Sequence, residues 1–175
     1  ETGERTGETT TSPTQSDRAC TGSAQPKLTL GWNNTLTYKR FSLTAFFQGT
    51  FGNKIMNGTK ARLSNIADAG IRNWISSFPE ENIASDFNSH FLSDRYLEDG
   101  SYFRLSSLSL SYDFGNIGKW ISNLKVTATC NNVFTITGYS GLDPEVNLGG
   151  LTPGIDNRYT YPRTRTFMLG VNLNF

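Results

Sequence analysis

The sequence predicts an all-β protein, namely an antiparallel transmembrane β-barrel segment of about five strands with long extracellular loops. Three observations support this fold class: apolar and polar residues alternate in five stretches, long windows inside these stretches contain no charged residue, and short connections alternate with long ones. Strict alternation is typical of a strand with one apolar and one polar face. Short turns at one end and long loops at the other are typical of outer-membrane barrels.

The composition excludes several other classes of protein. The chain has 175 residues, a net charge of +1, 18% charged residues and 13% aromatic residues, which fits a single domain. A nucleic-acid binder would need a strong basic bias, and a coiled coil or helical bundle would be richer in charged helix formers. No apolar run approaches the roughly 18 residues of a membrane helix, and the polar start of the chain is not expected to be a signal peptide.

The first elements are a polar start and a hairpin. Residues 1–27 are polar, without periodicity, and predict a loop or a disordered segment. Residues 28–38 alternate, with Leu, Trp and Tyr on one parity and mainly Thr, Gly and Asn on the other. Residues 41–51 also alternate, and only Lys39-Arg40 separates the two stretches. Two strands joined by a tight turn are therefore predicted.

A long connection and a third strand follow. Residues 52–102 form the connection, in which near-helical spacing of apolar residues predicts a short helix between Ala61 and Ser76. In residues 102–114, Leu and Tyr alternate with Ser, which predicts the third strand.

The last two strands flank a second long loop. Residues 115–123 are a short Gly- and Asn-rich connection, and the alternating residues 124–136 predict the fourth strand. Residues 137–163 form the second long loop, and residues 164–175 predict the last strand. The apolar face of that strand consists of Phe167, Leu169, Val171, Leu173 and Phe175.

The absence of charge indicates what the strands contact. The windows 28–38, 41–53, 105–112, 126–142 and 166–175 together hold 59 residues and no Asp, Glu, Lys or Arg, where the chain average would place about 10. Aromatic residues gather at the strand ends, as in the girdles of membrane barrels. One face is therefore expected to contact lipid. A soluble sandwich or lipocalin-like barrel also alternates, but its apolar face would form a core.

Five strands are too few for a complete membrane barrel, whose minimum is about eight. An open sheet would leave edge amides unpaired in lipid, so the chain is expected to be part of a larger barrel. Two alternatives stay open: a soluble β-rich carbohydrate-binding module, and a small barrel formed by several copies.

Four segments resemble one family in order and spacing, the SusC/RagA-like TonB-dependent outer-membrane transporters. Residues 22–57 (GSAQPKLTLGWNN…) resemble late barrel strands of that family, and residues 91–114 (FLSDRYLEDGSYF…) resemble its strand-entry segment. Residues 123–146 and 161–175 (YPRTRTFMLGVNLNF) resemble its closing strands. The resemblance covers residues 28–175 and marks them as the C-terminal part of the barrel.

The resemblance implies a barrel of about 22 strands with a plugged lumen in the bacterial outer membrane. It implies import of oligosaccharides or peptides powered through TonB, a SusD-like surface lipoprotein above the barrel, and no catalysis or cofactor. The remainder of the barrel, the plug and the TonB box are expected outside this sequence, and residues 1–19 do not match the acidic loop expected before the GSAQP segment.

Two sets of loop residues are candidates for binding. Aromatic rings in the predicted extracellular loops are expected either to stack on sugar rings or to pack the loops. These residues are Trp74, Tyr96, Tyr139, Tyr159 and Tyr161. Asp143 and Glu145 offer oxygen ligands for Ca²⁺, although two carboxylates are few and the alternative is a turn with solvated acids.

The last strand and the cysteines complete the set of candidates. The apolar face that ends at Phe175 resembles the signal read by the barrel-assembly machinery through strand addition. The alternative is that this face only contacts outer-membrane lipid. Cys20 and Cys130 are expected to be unpaired thiols, and no metal-ligand spacing or catalytic motif is present.

Overall fold

The structure, a computed structural model, describes residues 19–64, 73, 94–146, 153–157 and 161–175. The elements in chain order are β1 (Leu28–Tyr38), β2 (Phe41–Phe51), β3 (Lys54–Asn57), α1 (Gly58–Leu63), a 3-10 turn (Asp94–Tyr96), β4 (Leu97–Asp99), β5 (Tyr102–Ile117), β6 (Ile121–Thr137), β7 (Ile155–Asp156) and β8 (Thr166–Asn174).

The main sheet contains five antiparallel strands in the order β1-β2-β5-β6-β8. Each strand pairs with the next long strand along the chain, so the sheet is a meander without crossovers. All five predicted strands are confirmed, and the hairpin between β1 and β2 closes with Tyr38 opposite Phe41. In the described part of the chain, the outer edges of β1 and β8 have no partner strand.

The register separates apolar from polar side chains across the whole sheet. One row of paired positions runs through Leu36, Leu43, Leu110, Ala128 and Leu169. The adjacent row runs through Thr35, Thr44, Ser109, Thr129 and Met168. Because side chains alternate along a strand, these two rows lie on opposite faces.

The apolar face is open rather than packed into a core. Leu36 is 62% exposed and Leu169 is 76% exposed. The buried apolar cluster among the described residues, Ile55, Tyr139 and Val146, lies outside the five-stranded sheet. The all-β barrel-wall prediction is therefore confirmed, and the soluble sandwich, which needs a core under this face, does not fit.

The polar face is lined by hydroxyl groups that bond to one another across strands. Ser111 and Thr127 lie 3.0 Å apart between their side-chain oxygens, and Ser109 and Thr129 lie 2.9 Å apart. Such pairs satisfy the hydroxyl groups without charge. The Ser and Thr residues of the sequence thus form an uncharged stretch of this face, in which hydroxyl groups bond to each other.

The apolar band has the height of a bilayer core. Strands β1 and β2 pair over 11 residues. With a rise of ~3.3 Å per residue and a strand tilt of about 40°, the paired strands span a height of ~25 Å along the barrel axis. Rings stack near one end of the band, where Phe47 lies 5.2 Å from Trp32 and 5.6 Å from Phe103 between ring centroids. Phe41 and Tyr112 contact each other at the other end, 4.5 Å apart.

A bulge at Ser106 changes which residues of β5 lie on which face. Ser107 pairs with Phe46, whereas Leu105 pairs with the next residue, Phe47, so β5 contains one extra residue. A one-residue shift moves all further side chains to the opposite face. Leu105 therefore stays on the apolar face, and Arg104 joins the polar face opposite Gln48.

The connections form a second, small sheet in the order β4-β3-β7 beside one end of the main sheet. Helix α1 begins at Gly58, earlier than the predicted start at Ala61, because the Asn57 side chain accepts a hydrogen bond of 2.8 Å from the Lys60 amide. Most of the predicted helix beyond Ser64 lies outside the described residues. No helix in the described ranges has both the length and the apolar character to cross a bilayer.

Substitution of Leu108 by Arg tests the orientation of the sheet. Leu108 lies in the middle of the apolar band, so the Arg charge would enter hydrocarbon and is expected to destabilise the folded protein by about 2–4 kcal/mol. The measurement is urea-induced unfolding in lipid vesicles of the protein expressed from its complete gene. Ser107→Arg is the matched control on the polar face and is expected to change stability much less. Equal losses for both variants would contradict the assignment of the faces.

Candidate functional site

Arg104 is the centre of a buried polar network at the loop end of the main sheet. Its side chain is only 2% exposed. The guanidinium donates hydrogen bonds of 2.8 Å to Thr135 Oγ1, 2.9 Å to Glu145 Oε2 and 2.7 Å to Asp143 Oδ1. The ring of Tyr102 lies 5.2 Å from the guanidinium carbon. The charge is therefore bonded on all sides, as burial of an arginine requires.

The two carboxylates belong to the loop after β6. The Glu145 amide donates to Asp143 Oδ1 at 2.9 Å, which holds the two acids together. Arg163 approaches from the far side, with 2.9 Å from its Nη2 to Glu145 Oε1 and 3.9 Å from its Nε to Asp143 Oδ2. Gln48 donates to Glu145 Oε2 at 3.3 Å. Two guanidinium groups thus neutralise two carboxylates, and the loop is tied to the polar face of β2, β5 and β6.

This arrangement corrects the expectation of a turn with solvated acids. Asp143 is 6% exposed and both acids face arginines. The same contacts occupy the oxygens that a Ca²⁺ ion would need, and the described ranges contain no cluster of three or more His, Cys, Asp or Glu that could hold a metal ion. The function of these two residues in the structure is to anchor the loop.

Glu98 anchors the same loop to the small sheet. Its carboxylate accepts hydrogen bonds from the Ser140 amide at 2.8 Å, the Ser140 hydroxyl at 2.7 Å and the Asn57 side chain at 3.2 Å. Lys60 lies 4.0 Å away. Three elements, β3, β4 and the loop after β6, are therefore joined at one carboxylate.

Tyr139 is a buried residue that links the loop after β6 to β7. It is 5% exposed, and its hydroxyl donates to Asp156 Oδ2 at 2.9 Å. Burial raises the pKa of the Tyr139 phenol well above its ordinary value, and the negative charge of Asp156 raises it further. The phenol is therefore a stable hydrogen-bond donor that fixes β7 to the loop after β6.

The predicted sugar-stacking residues lie in different environments. Tyr96 and Tyr139 are buried, 1% and 5% exposed, so their rings pack the loops and offer no open face. Tyr161 is 79% exposed and keeps an open ring. Trp74 and Tyr159 lie outside the described residues. The structure does not bring the described members together into one surface.

The predicted assembly residues share the open face of β8. Phe167 and Leu169 are each 76% exposed, and Phe175 is 89% exposed. Val171 and Leu173 lie between them on the same face, opposite Val126 and Leu124 of β6. The assembly signal stays a prediction. Cys20 and Cys130 are both free, as expected.

Arg104 is the functional candidate that the sequence analysis missed. The available signal was a single arginine between Phe103 and Leu105, at the entry to a long uncharged strand. Two open cavities flank its network on the polar side, of about 320 and 310 Å³. Arg163 and Arg165 line the first, and Tyr102 and Gln48 line the second. The site therefore offers polar surface on both sides of the Arg104 network.

The fold and the site together define a wall segment of a membrane β-barrel that carries structured loops at one end. Comparison with known proteins places this segment in a family. Over 91% of the chain, the sequence is 32% identical to TonB-dependent receptor P3 of Formosa agariphila. Over 83% of the chain, it is 29% identical to TonB-dependent receptor SusC of Bacteroides thetaiotaomicron. No family model matches the chain.

The fold matches a solved transporter as well. The structure of the RagAB peptide transporter superposes with a TM-score of 0.81 over 98% of this chain and 20% of that chain, at 22% sequence identity. This chain spans 17% of the length of receptor P3 and 15% of SusC. The chain belongs to the SusC/RagA-like TonB-dependent receptors, which are outer-membrane proteins, and corresponds to part of their barrel.

Substitution of Arg104 by Gln tests the anchor. The change leaves Asp143 buried with less compensating charge, and loss of one partner of a buried pair costs about 3–5 kcal/mol. We expect faster hydrogen–deuterium exchange of the amides of residues 139–146, with the barrel still assembled. Arg163 is half exposed, so Arg163→Gln is expected to cost less than about 1 kcal/mol. Equal acceleration in both variants would show that Arg104 is not the anchor.

The raised pKa of Tyr139 predicts that the folded protein loses stability at alkaline pH. The pKa of the Tyr139 phenol is higher in the folded than in the unfolded protein. The contribution of Tyr139 to the free energy of unfolding is therefore complete below a pH of about 10 and is lost as the pH rises further. We expect the fall in Tm between pH 8 and pH 11 to be smaller in Tyr139→Phe than in the unchanged protein, because phenylalanine has no hydroxyl group to ionise. The other tyrosines are common to both proteins, so their effect on Tm cancels in the comparison. The same fall in both proteins would contradict this account.

Proposed function

We propose that the chain forms part of the barrel wall and the extracellular loops of an outer-membrane nutrient importer, in the C-terminal part of the barrel. The observation that carries the proposal is the continuous apolar face across five strands, with both sheet edges unpaired in the described part of the chain. Such a sheet is stable in lipid only when further strands complete it. Residues 28–175 are the barrel portion in this proposal, and residues 1–27 are a polar loop before it.

The loops and the polar face support a role in substrate passage. The middle of the polar face is lined by hydroxyl groups, and the Arg104 network holds the loop after β6 against one end of this face. We assign to the importer a substrate that is an oligosaccharide or a peptide. The relatives include a SusC receptor and a structure described as a peptide transporter. Tyr161, with its exposed ring, is the proposed contact for a sugar ring, together with Trp74 and Tyr159.

The proposal also names the partners. The unpaired edges of β1 and β8 take the remainder of the barrel, and the polar face surrounds the plug. TonB would supply energy through a region outside this sequence, and a SusD-like lipoprotein would cover the loops. The barrel-assembly machinery would read the apolar face of β8 that ends at Phe175, by addition of a strand to its free edge.

The test is uptake in cells. A strain that lacks the complete gene is expected to lose uptake of one oligosaccharide or peptide class, and loss of TonB is expected to have the same effect. Tyr161→Ala is expected to weaken apparent substrate affinity by up to about tenfold, because one aromatic contact contributes roughly 0.5–1.5 kcal/mol. Uptake that persists without the gene or without TonB would contradict the proposal.

The control for the ring is Trp120→Ala. Trp120 is 87% exposed but lies at the opposite end of the sheet, in the short turn between β5 and β6. This variant is expected to leave substrate affinity unchanged when the amount of assembled barrel is matched between strains. If both ring variants weaken uptake equally, the assignment of Tyr161 is wrong.

A further inference from the structure

The tight turn between β1 and β2 presents two cations beside exposed rings. Lys39 adopts a φ of 53°, which turns the chain within two residues. Both Lys39 and Arg40 are exposed. The Lys39 ammonium lies 5.4 Å from the centroid of the Tyr38 ring.

Three further rings form a packed cluster next to this turn. Tyr112 lies 4.5 Å from Phe41 and 4.6 Å from Phe114 between ring centroids. Phe41 and Tyr112 pair across the strands in the row at which β1 and β2 end. This cluster therefore marks the level at which the apolar face meets the lipid headgroups.

Arg40 is fixed at the edge of the same cluster. Its Nη1 donates to the Phe114 carbonyl at 3.0 Å, and the Arg40 carbonyl accepts from the Asp113 amide at 2.9 Å. One of five guanidinium donors is used in this bond. The backbone contact holds the charge in place without neutralising it.

No acid within the described ranges forms an ion pair with Lys39 or Arg40. The nearest acid in sequence and register, Asp113, accepts from the Gly115 amide at 2.8 Å and lies opposite Lys125 on the polar face. The neighbouring short turn adds Lys119 and the 87% exposed Trp120. Among the described residues, the turn between β1 and β2 thus carries two cations that form no ion pair.

We infer that Lys39 and Arg40, with the rings of Tyr38, Phe41 and Tyr112, form a binding site for the headgroup of an anionic phospholipid in the periplasmic leaflet. The inference rests on the proposed function, since it needs the apolar face in lipid and the short turns in the periplasm. Guanidinium and ammonium groups bind a phosphodiester through charge-assisted hydrogen bonds. The acyl chains lie along the apolar face below the rings.

The charge of the turn selects the class of lipid. A zwitterionic headgroup offers a phosphate together with its own cation, whereas phosphatidylglycerol and cardiolipin offer net negative charge. Basic residues near a membrane surface favour anionic lipid, by about fivefold for each Lys or Arg. The site therefore prefers phosphatidylglycerol over phosphatidylethanolamine.

The experiment measures the lipid that stays bound to the protein. Protein expressed from its complete gene is placed in nanodiscs of phosphatidylethanolamine with one quarter phosphatidylglycerol, transferred to detergent, and the retained lipids are quantified by mass spectrometry. We expect enrichment of phosphatidylglycerol that falls by about tenfold or more in the double variant Lys39→Gln, Arg40→Gln. The enrichment is also expected to weaken in 0.5 M salt.

The matched control removes the same charge at the loop end, with Lys54→Gln and Lys60→Gln. This variant is expected to retain the enrichment. No enrichment in the unchanged protein, or the same loss in both double variants, would overturn the lipid site. Those outcomes in a correctly assembled barrel leave the importer proposal standing, whereas a protein that never assembles in the outer membrane contradicts the importer proposal itself.

Discussion

The structure depends on one constraint, the need to pair every backbone N–H and C=O group that lies in hydrocarbon. Within the sheet, antiparallel pairing from β1 to β8 satisfies this need over the full height of the apolar band. At the two edges it is not satisfied within the described chain. The open edges and the open apolar face have the same cause, because a barrel wall has lipid on one side and neighbouring strands on both flanks. Membership in a family of much longer receptors agrees with that physical requirement.

The inserted residue Ser106 connects this wall to the loops. Without the bulge, the alternation of β5 would place Arg104 on the lipid face, where an uncompensated charge costs several kcal/mol. With the bulge, Arg104 points to the polar face and meets Asp143, Glu145 and Thr135. Arg104 and Asp143 are buried because their charges satisfy each other, and the loop after β6 is thereby held against the sheet. A local irregularity in one strand thus positions a loop that begins more than 30 residues later.

The sequence was sufficient for the parts of the fold that depend on local pattern. Alternation identified five strands, and Lys39-Arg40 identified the tight hairpin, because side-chain period and turn length act within a few residues. The pattern did not reveal that the side chains of β5 switch faces at Ser106, because a run of Ser and Leu is compatible with a strand with or without a bulge. It also did not pair Arg104 with Asp143, because that contact spans 39 residues and depends on loop packing. For the same reason it did not separate buried Tyr96 and Tyr139 from exposed Tyr161: all three occur in polar loops, and only tertiary contacts distinguish them.

The two ends of the sheet differ in whether their charged side chains form ion pairs within the chain, and this difference follows from their surroundings. At the loop end, Arg104 and Arg163 form ion pairs with Asp143 and Glu145, so these charges are balanced and this part of the loop is tied to the sheet. Buried pairs of this kind contribute geometry more than net stability, because desolvation offsets most of the attraction. At the turn end, Lys39 and Arg40 stay exposed beside the rings of Tyr38 and Phe114. An exposed cation there loses little hydration and remains available to an external anion. In a wall segment built in this way, ion pairs within the chain fix the loop end, and the proposed lipid site assigns the partner of the turn end to the membrane.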